Sequence, residues 1–357
     1  MRPLPLTGQD TEGPGAERRR PEPGEQPHVS PSSPPQPQPS SPSLPSARPL
    51  PFERSVTVRV PAKVNVQLAV GGRRADGYHG LATVFFAVGL YDEVTVTPAE
   101  ALTVTVAGTD AAHVPADGSN LAAKAAALLA ARHGLAPAVH LHIAKNIPVA
   151  GGMAGGSADA AAALVACDAL WGTGEPPAGL AHLAAQLGSD VPFALLGGVA
   201  LGEGRGELLT PLPVGGAFHW VFAVADGGLS TPAVYAECDR QRALGAGSGE
   251  ADVPPPTADP ALLAALRDGD AAALGAALRN DLQPAALALR PALAATLATG
   301  GDAGAIGSLV SGSGPTCAFL AKDAETARTV ADALAASGTC RGVRITEGPV
   351  PGAAVVG

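Results

Sequence analysis

The run Pro148-Val149-Ala150-Gly151-Gly152-Met153-Ala154-Gly155-Gly156-Ser157-Ala158 is where residue types speak most directly of chemistry. Its four glycines in six residues allow positive φ and a close approach of backbone to ligand. A helical pattern begins at Ser157, so free N–H groups and the positive end of a helix dipole face whatever the loop holds. That geometry suits a polyphosphate. A Walker A loop would end in Gly-Lys-Ser/Thr, but here Gly156 is followed by Ser157 and Ala158. No register supplies the G-x-G-x-x-G of a dinucleotide fold either. The plain alternative is a flexible turn, which the glycine density argues against. Ser157 can cap the helix, and it can contact phosphate or Mg²⁺. A second glycine-rich segment, Ser311-Gly312-Ser313-Gly314-Pro315-Thr316, reads as a turn by itself. With the first loop it suggests a site closed from both domains.

Other candidate groups are sparser. His140 and His142 share one face of a strand pattern at 139–143, where solvent-facing histidines are a plainer reading than a metal pair. Only four lysines, Lys63, Lys124, Lys145 and Lys322, stand against 19 arginines. In such a composition a retained lysine is more informative than usual. A net charge of -9 argues against nucleic acid as the main partner. No apolar stretch is long enough to span a membrane, and the N-terminus lacks the apolar core of a secretory signal. Cys167, Cys238, Cys317 and Cys340 are scattered, as expected of reduced thiols in a cytoplasmic protein.

The elements that must position these groups follow from patterning. Residues 1–53 hold fifteen of the 35 prolines and are expected to be a disordered extension, or to reflect a start assigned too far upstream. Strands are expected at 55–60, 64–70, 81–88, 93–97, 102–106, 139–143 and 199–201. Helices are expected at 121–133, 157–171 and 179–187. The Gly/Pro-rich turn at 211–216 marks a boundary between domains at 54–213 and 214–357. Beyond it come a strand at 220–225, a loop at 245–260 and helices at 261–266, 271–278 and 284–297. A strand at 316–320, a helix at 323–336 and a strand at 342–346 complete the chain. Strands and helices mix without regular βαβ alternation, which favours α+β over a doubly wound sheet.

Three segments in order, Pro61-Ala62-Lys63-Val64-Asn65, the glycine loop and 311–316, resemble the GHMP-type small-molecule kinases, which bind ATP through a non-Walker glycine loop. Three more narrow the resemblance: Arg74-Ala75-Asp76-Gly77-Tyr78-His79, Gly188-Ser189-Asp190-Val191-Pro192 and Ser230-Thr231-Pro232-Ala233-Val234-Tyr235. They are similar to the branch of that superfamily that phosphorylates a cytidine diphosphate-linked methylerythritol in non-mevalonate isoprenoid biosynthesis. The resemblance runs from about 55 to 346. It implies an α+β, two-domain GHMP-kinase fold, with an N-terminal ATP-binding domain and a C-terminal ferredoxin-like domain. It implies ATP and Mg²⁺ as cofactors, a small-molecule substrate, and a monomer or homodimer acting without nucleic acid or membrane.

Residue roles carry over from the same resemblance. Asp190 matches the catalytic aspartate that accepts the hydroxyl proton, and Lys63 the catalytic lysine beside it. Residues 148–158 match the ATP loop, and Asn120 and Lys145 stand near the adenine. Asn120 serves equally as a helix cap, and Lys145 equally as a solvated lysine. Tyr78, His79 and Tyr235 match the residues that hold the cytosine, and Asn65 and Thr231 contact the sugar or phosphate end. Ala150 and Ala154 depart from the pattern, standing where glycine is frequent. That departure bears on ATP affinity more than on the presence of activity. Rival readings are a nucleotide-binding regulator and a GHMP kinase for homoserine, a mevalonate-type alcohol or a sugar. Retention of Lys63 with Asp190 speaks against the first, and 74–79 against the second.

Overall fold

The computed structural model describes residues 54–149, 151–245 and 253–356. The expected extension 1–53, Ala150 and residues 246–252 lie outside the described residues. Alternating Val56, Val58 and Val60 open β1 (Val56–Arg73), which pairs antiparallel with β2 (His79–Pro98). Four short strands were expected here and two long ones form. Pro61 falls at a register shift, where a strand tolerates a residue without an N–H. A second shift lies between Asn65 and Gln67, so Lys63 and Asn65 sit between two bulges.

Next in order come β3 (Thr103–Gly108), α1 (Leu121–Arg132), β4 (Val139–Lys145) and α2 (Gly155–Trp171). They are followed by α3 (Pro177–Leu187), α4 (Val191–Leu196), β5 (Val199–Glu203) and β6 (Leu208–Pro211). After the turn at 211–216 come β7 (Phe218–Val224), α5 (Thr231–Gly245), α6 (Pro260–Asp268), α7 (Ala271–Ala277) and β8 (Arg279–Asn280). The chain ends with α8 (Gln283–Leu289), α9 (Ala292–Asp302), β9 (Gly307–Val310), β10 (Cys317–Ala321), α10 (Ala324–Ser337), β11 (Gly342–Gly348) and β12 (Ala354–Val355). The helix expected at 284–297 is two helices. Arg290, at φ -143°, leaves the helical region because Pro291 follows it. Helix α5 and strand β9 were not anticipated.

Two sheets result. The larger has eight strands in the order β12-β1-β2-β4-β3, with β5 and β6 extending from β2 and β8 parallel to β1. Helix α2 covers it, and α1 packs beside α2. The smaller sheet, β11-β7-β10-β9, is antiparallel throughout and carries α9 and α10. The core is shared between them. Phe86 on β2 meets Trp220 on β7 at 5.7 Å and Phe218 at 5.8 Å between ring centroids. The chain after residue 214 also returns to the large sheet through β8 and β12. Among the described residues no helix is long and apolar enough to cross a membrane.

Candidate active site

The bulged stretch of β1 presents Lys63 and Asn65 on one face, two residues apart. The Lys63 ammonium donates to Asn65 Oδ1 at 2.6 Å and lies 3.5 Å from Asp190 Oδ2. It also sits 5.6 Å from the centroid of the Phe85 ring, a further support for positive charge. Asn65 is fixed in turn by donating to Thr83 Oγ1 at 2.7 Å. Asp190 immediately precedes α4 but makes no capping bond, so its carboxylate is left for the cleft. A buried lysine paired with a more exposed carboxylate can align a hydroxyl and take its proton.

Facing this pair is the glycine loop, gripped from two sides. The Lys63 N–H donates to Met153 O at 3.4 Å. From the other side Ser311 Oγ donates to Gly152 O at 3.1 Å and the Thr316 N–H to Gly151 O at 3.3 Å. The two glycine-rich segments are therefore in direct backbone contact. A Cβ on Gly151 would stand 2.7 Å from Thr316 Oγ1, and one on Gly152 would collide with Ser311 O. These two glycines answer to protein packing before any ligand. Gly156 is different, with open space around it apart from Leu121 at 3.6 Å, and it faces the cleft. Helix α2 starts at Gly155, two residues earlier than expected, so the N–H groups of Gly155, Gly156 and Ser157 belong to its first turn. Asn280 ties the second segment down by donating to Val310 O and Gly312 O, both at 2.7 Å.

At the other end of the cleft, 74–79 forms the turn between β1 and β2. Asp76 Oδ1 accepts from the Tyr78 N–H at 3.1 Å, and Gly77 takes the positive φ of 86° that this turn needs. Tyr78 is 56% exposed and carries the Arg205 guanidinium 5.2 Å from its ring centroid. The His79 ring stacks on Tyr235 at 5.0 Å, and its Nε2 pairs with Asp239 Oδ1 at 2.9 Å. Tyr235 and Asp239 are one turn apart on α5, so that helix grips the imidazole by face and by edge. Burial, and then the negative charge of Asp190, push the Tyr235 phenol above its ordinary range, keeping it protonated. Thr231 reaches Ser313 Oγ at 2.8 Å. Each tyrosine thus has one face already covered, which qualifies the expected two-ring sandwich.

One cleft of about 780 Å³ gathers Lys63, Asn65, Tyr78, His79, Asp190, Thr231 and Tyr235 with Gly151, Gly152 and residues 154–157. Several expected ATP contacts stand apart from it. Met153 and Ala158 are buried in the core. Asn120 caps α1, accepting from the Ala122 N–H at 2.8 Å and donating to Pro115 O at 2.7 Å. Lys145 is neither solvated nor in the cleft: its ammonium pairs with Asp92 and, at 2.8 Å, with Asp159. Burial works against that charge, but the two carboxylates hold the ammonium above its usual range. Burial pushes the Asp159 carboxyl above its ordinary range, against the pull of Lys145. Pro148 and Lys145 line a separate hollow of about 440 Å³ with Asp110 and Arg341. His140 and His142 bond to Thr103 and Thr105, and no metal cluster forms among the described residues. Thr83, Arg205 and Asp239 also line the cleft, and Asn280 holds the segment around Gly312 beside it; none of the four was singled out from the sequence. Asp239 had a signal in its i,i+4 spacing from Tyr235, visible only once α5 is known.

The loop, the facing lysine–aspartate pair and the two sheets are those of an ATP-dependent GHMP kinase. The chain matches the family model "GHMP kinases N terminal domain" over 120–198 and "GHMP kinases C terminal" over 262–340. A 4-diphosphocytidyl-2-C-methyl-D-erythritol kinase from Streptomyces avermitilis is 67% identical over 302 residues, covering 85% of this chain and 100% of that protein. One from Thermobifida fusca is 63% identical over 310 residues, covering 85% and 98%. A crystal structure of 4-(cytidine 5'-diphospho)-2C-methyl-D-erythritol kinase superposes with a TM-score of 0.66 at 34% identity, over 81% of this chain and 98% of that one. The chain belongs to the 4-diphosphocytidyl-2-C-methyl-D-erythritol kinase family. A homoserine kinase from Cytophaga hutchinsonii, at 20% identity and a TM-score of 0.64, shares the fold.

Proposed function

We propose that this chain transfers the γ-phosphoryl group of ATP to the 2-hydroxyl of 4-diphosphocytidyl-2-C-methyl-D-erythritol, giving the 2-phosphate and ADP for isoprenoid precursor synthesis in the cytoplasm. The observation that carries this reading is the Lys63–Asp190 pair at 3.5 Å, facing the glycine loop in the cleft that also holds Tyr78, His79 and Tyr235. Asp190 takes the proton of the attacking hydroxyl as its oxygen bonds to phosphorus and the bond to the ADP oxygen breaks. Lys63 fixes Asp190 and offsets negative charge on the transferring group. The first-turn N–H groups of α2 receive the phosphates, with Gly151, Gly152 and residues 154–157 of the run 148–158 lining the ATP side of the cleft. His79, held by Asp239, reads the cytosine beside the two tyrosine rings. Asn65 and Thr231 meet the sugar–phosphate end.

The described residues offer no carboxylate cage, so Mg²⁺ would be held mainly by phosphate oxygens and water, with Ser157 the protein's hydroxyl at the helix start. The N-terminal ATP-binding domain is taken as 54–213 and the C-terminal domain as 214–357.

The purified protein with ATP, Mg²⁺ and the cytidylated alcohol is expected to release ADP. Asp190→Asn should lower kcat by roughly 10²–10⁴-fold, while ATP still raises the melting temperature of the variant. Undiminished turnover in Asp190→Asn would remove the assigned base. ADP release driven only by homoserine or mevalonate would remove the substrate.

A further inference from the structure

The most deeply buried charges among the described residues lie behind the glycine loop. Asp92, Asp159 and Lys145 are 0%, 2% and 4% exposed. Burying ions costs several kcal/mol each, and a buried ion group is weak evidence of added stability. Asp159 Oδ1 even lacks any hydrogen-bond partner among the described residues. A cluster so costly calls for a role, and its connections supply one.

Lys145 is the last residue of β4, where the chain enters the loop. Asp92 Oδ2 pairs with the Lys145 ammonium, while its Oδ1 accepts from the N–H groups of Asn146 at 2.6 Å and Ile147 at 2.9 Å. Asp159 is the fifth residue of α2, where the chain leaves the loop, and its Oδ2 accepts from the same ammonium at 2.8 Å. A Cβ on Gly155 would lie 3.1 Å from Lys145 Nζ, so the ammonium sits directly against the first residue of the helix. Both ends of the loop are tied to one charge. Between them stand mostly glycine and alanine, which have no polar side chains of their own to hold a shape.

We propose that Lys145, Asp92 and Asp159 are positioning residues for the phosphates: an ionic weld that fixes the entry and exit of the glycine loop before ATP arrives. The proposal rests on the reading of that loop as the phosphate cradle. Preorganisation raises affinity by removing an ordering cost from the binding step.

Asp159→Asn tests it, because the change keeps the shape of the side chain and leaves the Asp92–Lys145 pair and its amide bonds in place. Two effects oppose each other. Removing a negative charge one turn from the end of α2 would by electrostatics alone favour a phosphate. Weakening the tie at the exit of the loop, where a neutral amide oxygen replaces a carboxylate beside the ammonium, disfavours it. The expected result is a rise in KM for ATP of about tenfold, with kcat and the KM for the alcohol within about twofold. Amide exchange at 151–156 should quicken while exchange in β7 and β10 does not. An ATP KM that is unchanged or lower overturns the proposal, whatever happens to the melting temperature. Should Asp159→Asn not fold, the triple variant Asp92→Asn/Lys145→Met/Asp159→Leu removes all three buried charges, while the amide introduced at position 92 keeps an oxygen for the Asn146 and Ile147 N–H groups. Folded triple variant with the wild-type KM for ATP would equally overturn it. Wild-type protein that turns over no cytidylated alcohol tells against the functional reading. Wild-type turnover with an unaltered variant KM tells against the weld alone.

Discussion

Ala154 is the one non-glycine residue among those described with a positive φ, at 60°, and it immediately precedes α2. A left-handed conformation costs an L-residue about 1–2 kcal/mol. Glycine would escape that cost but would lose about 0.5–1 kcal/mol through its greater freedom in the unfolded chain. The balance favours Ala154→Gly by up to about 1.5 kcal/mol, a rise of up to roughly 3 °C in Tm. A melting curve shifted downward would show that the alanine is unstrained there. The sequence alone marks Ala154 as standing in a glycine-prone place, but it does not give φ. Lys63 and Asp190 were legible because each lies in a local motif. Arg205 and Asp239 were not, since their partners are far off in the chain; Asp239 meets His79 across 160 residues. Only the closed fold brings such pairs together.

Among elements, α5 was the serious omission. Only Val234 and Cys238 are buried along its fifteen residues, so it shows no periodic apolar stripe to read. It packs against α8 and lends its polar face to the cleft. By contrast α1, α2 and α10 have strong alanine and leucine patterns and fell near their expected limits. A link between elements was likewise invisible. Arg341, just before β11, pairs twice with Asp110 beyond the end of β3, at 2.7 and 2.6 Å. Asp110 Oδ2 also accepts from the Val149 N–H at 3.3 Å, at the mouth of the glycine loop. The Arg341 guanidinium holds the Asp110 carboxyl at about 2, below its ordinary 3.8. A carboxyl lowered by folding contributes stability that is complete above its unfolded value and fades as pH falls through its folded one. The Tm difference between wild type and Arg341→Ala should therefore be constant above about pH 5 and close between about pH 4 and 2. A difference that persists unchanged in acid would mean that Arg341 acts by packing rather than charge.

At the scale of the molecule, the two sheets were legible as two runs of strands, but their union was not. Sequence patterning gives each strand a buried face without saying which other face covers it. Here Phe86 from the large sheet sits against Phe218 and Trp220 from the small one, and one apolar cluster draws on both. The return of β8 and β12 to β1 adds backbone pairing between the halves. The cleft lies between the same two halves, with Lys63 and Asp190 from one and Tyr235 and residues 312–314 from the other. Cleft geometry should then depend on the shared core. Trp220→Ala empties the centre of that core, since Trp220 is fully buried, and should cost about 3–5 kcal/mol. Because the core is common, the loss should appear as one lowered transition and not as the release of one half. With Trp171→Phe as background, Trp220 fluorescence reports the junction and far-UV circular dichroism reports both sheets. The two signals should melt together in that background, and circular dichroism should show a single earlier transition once Trp220 is removed. Two separated transitions would show that each half holds its own stability, and that the cleft is joined by surface contact alone.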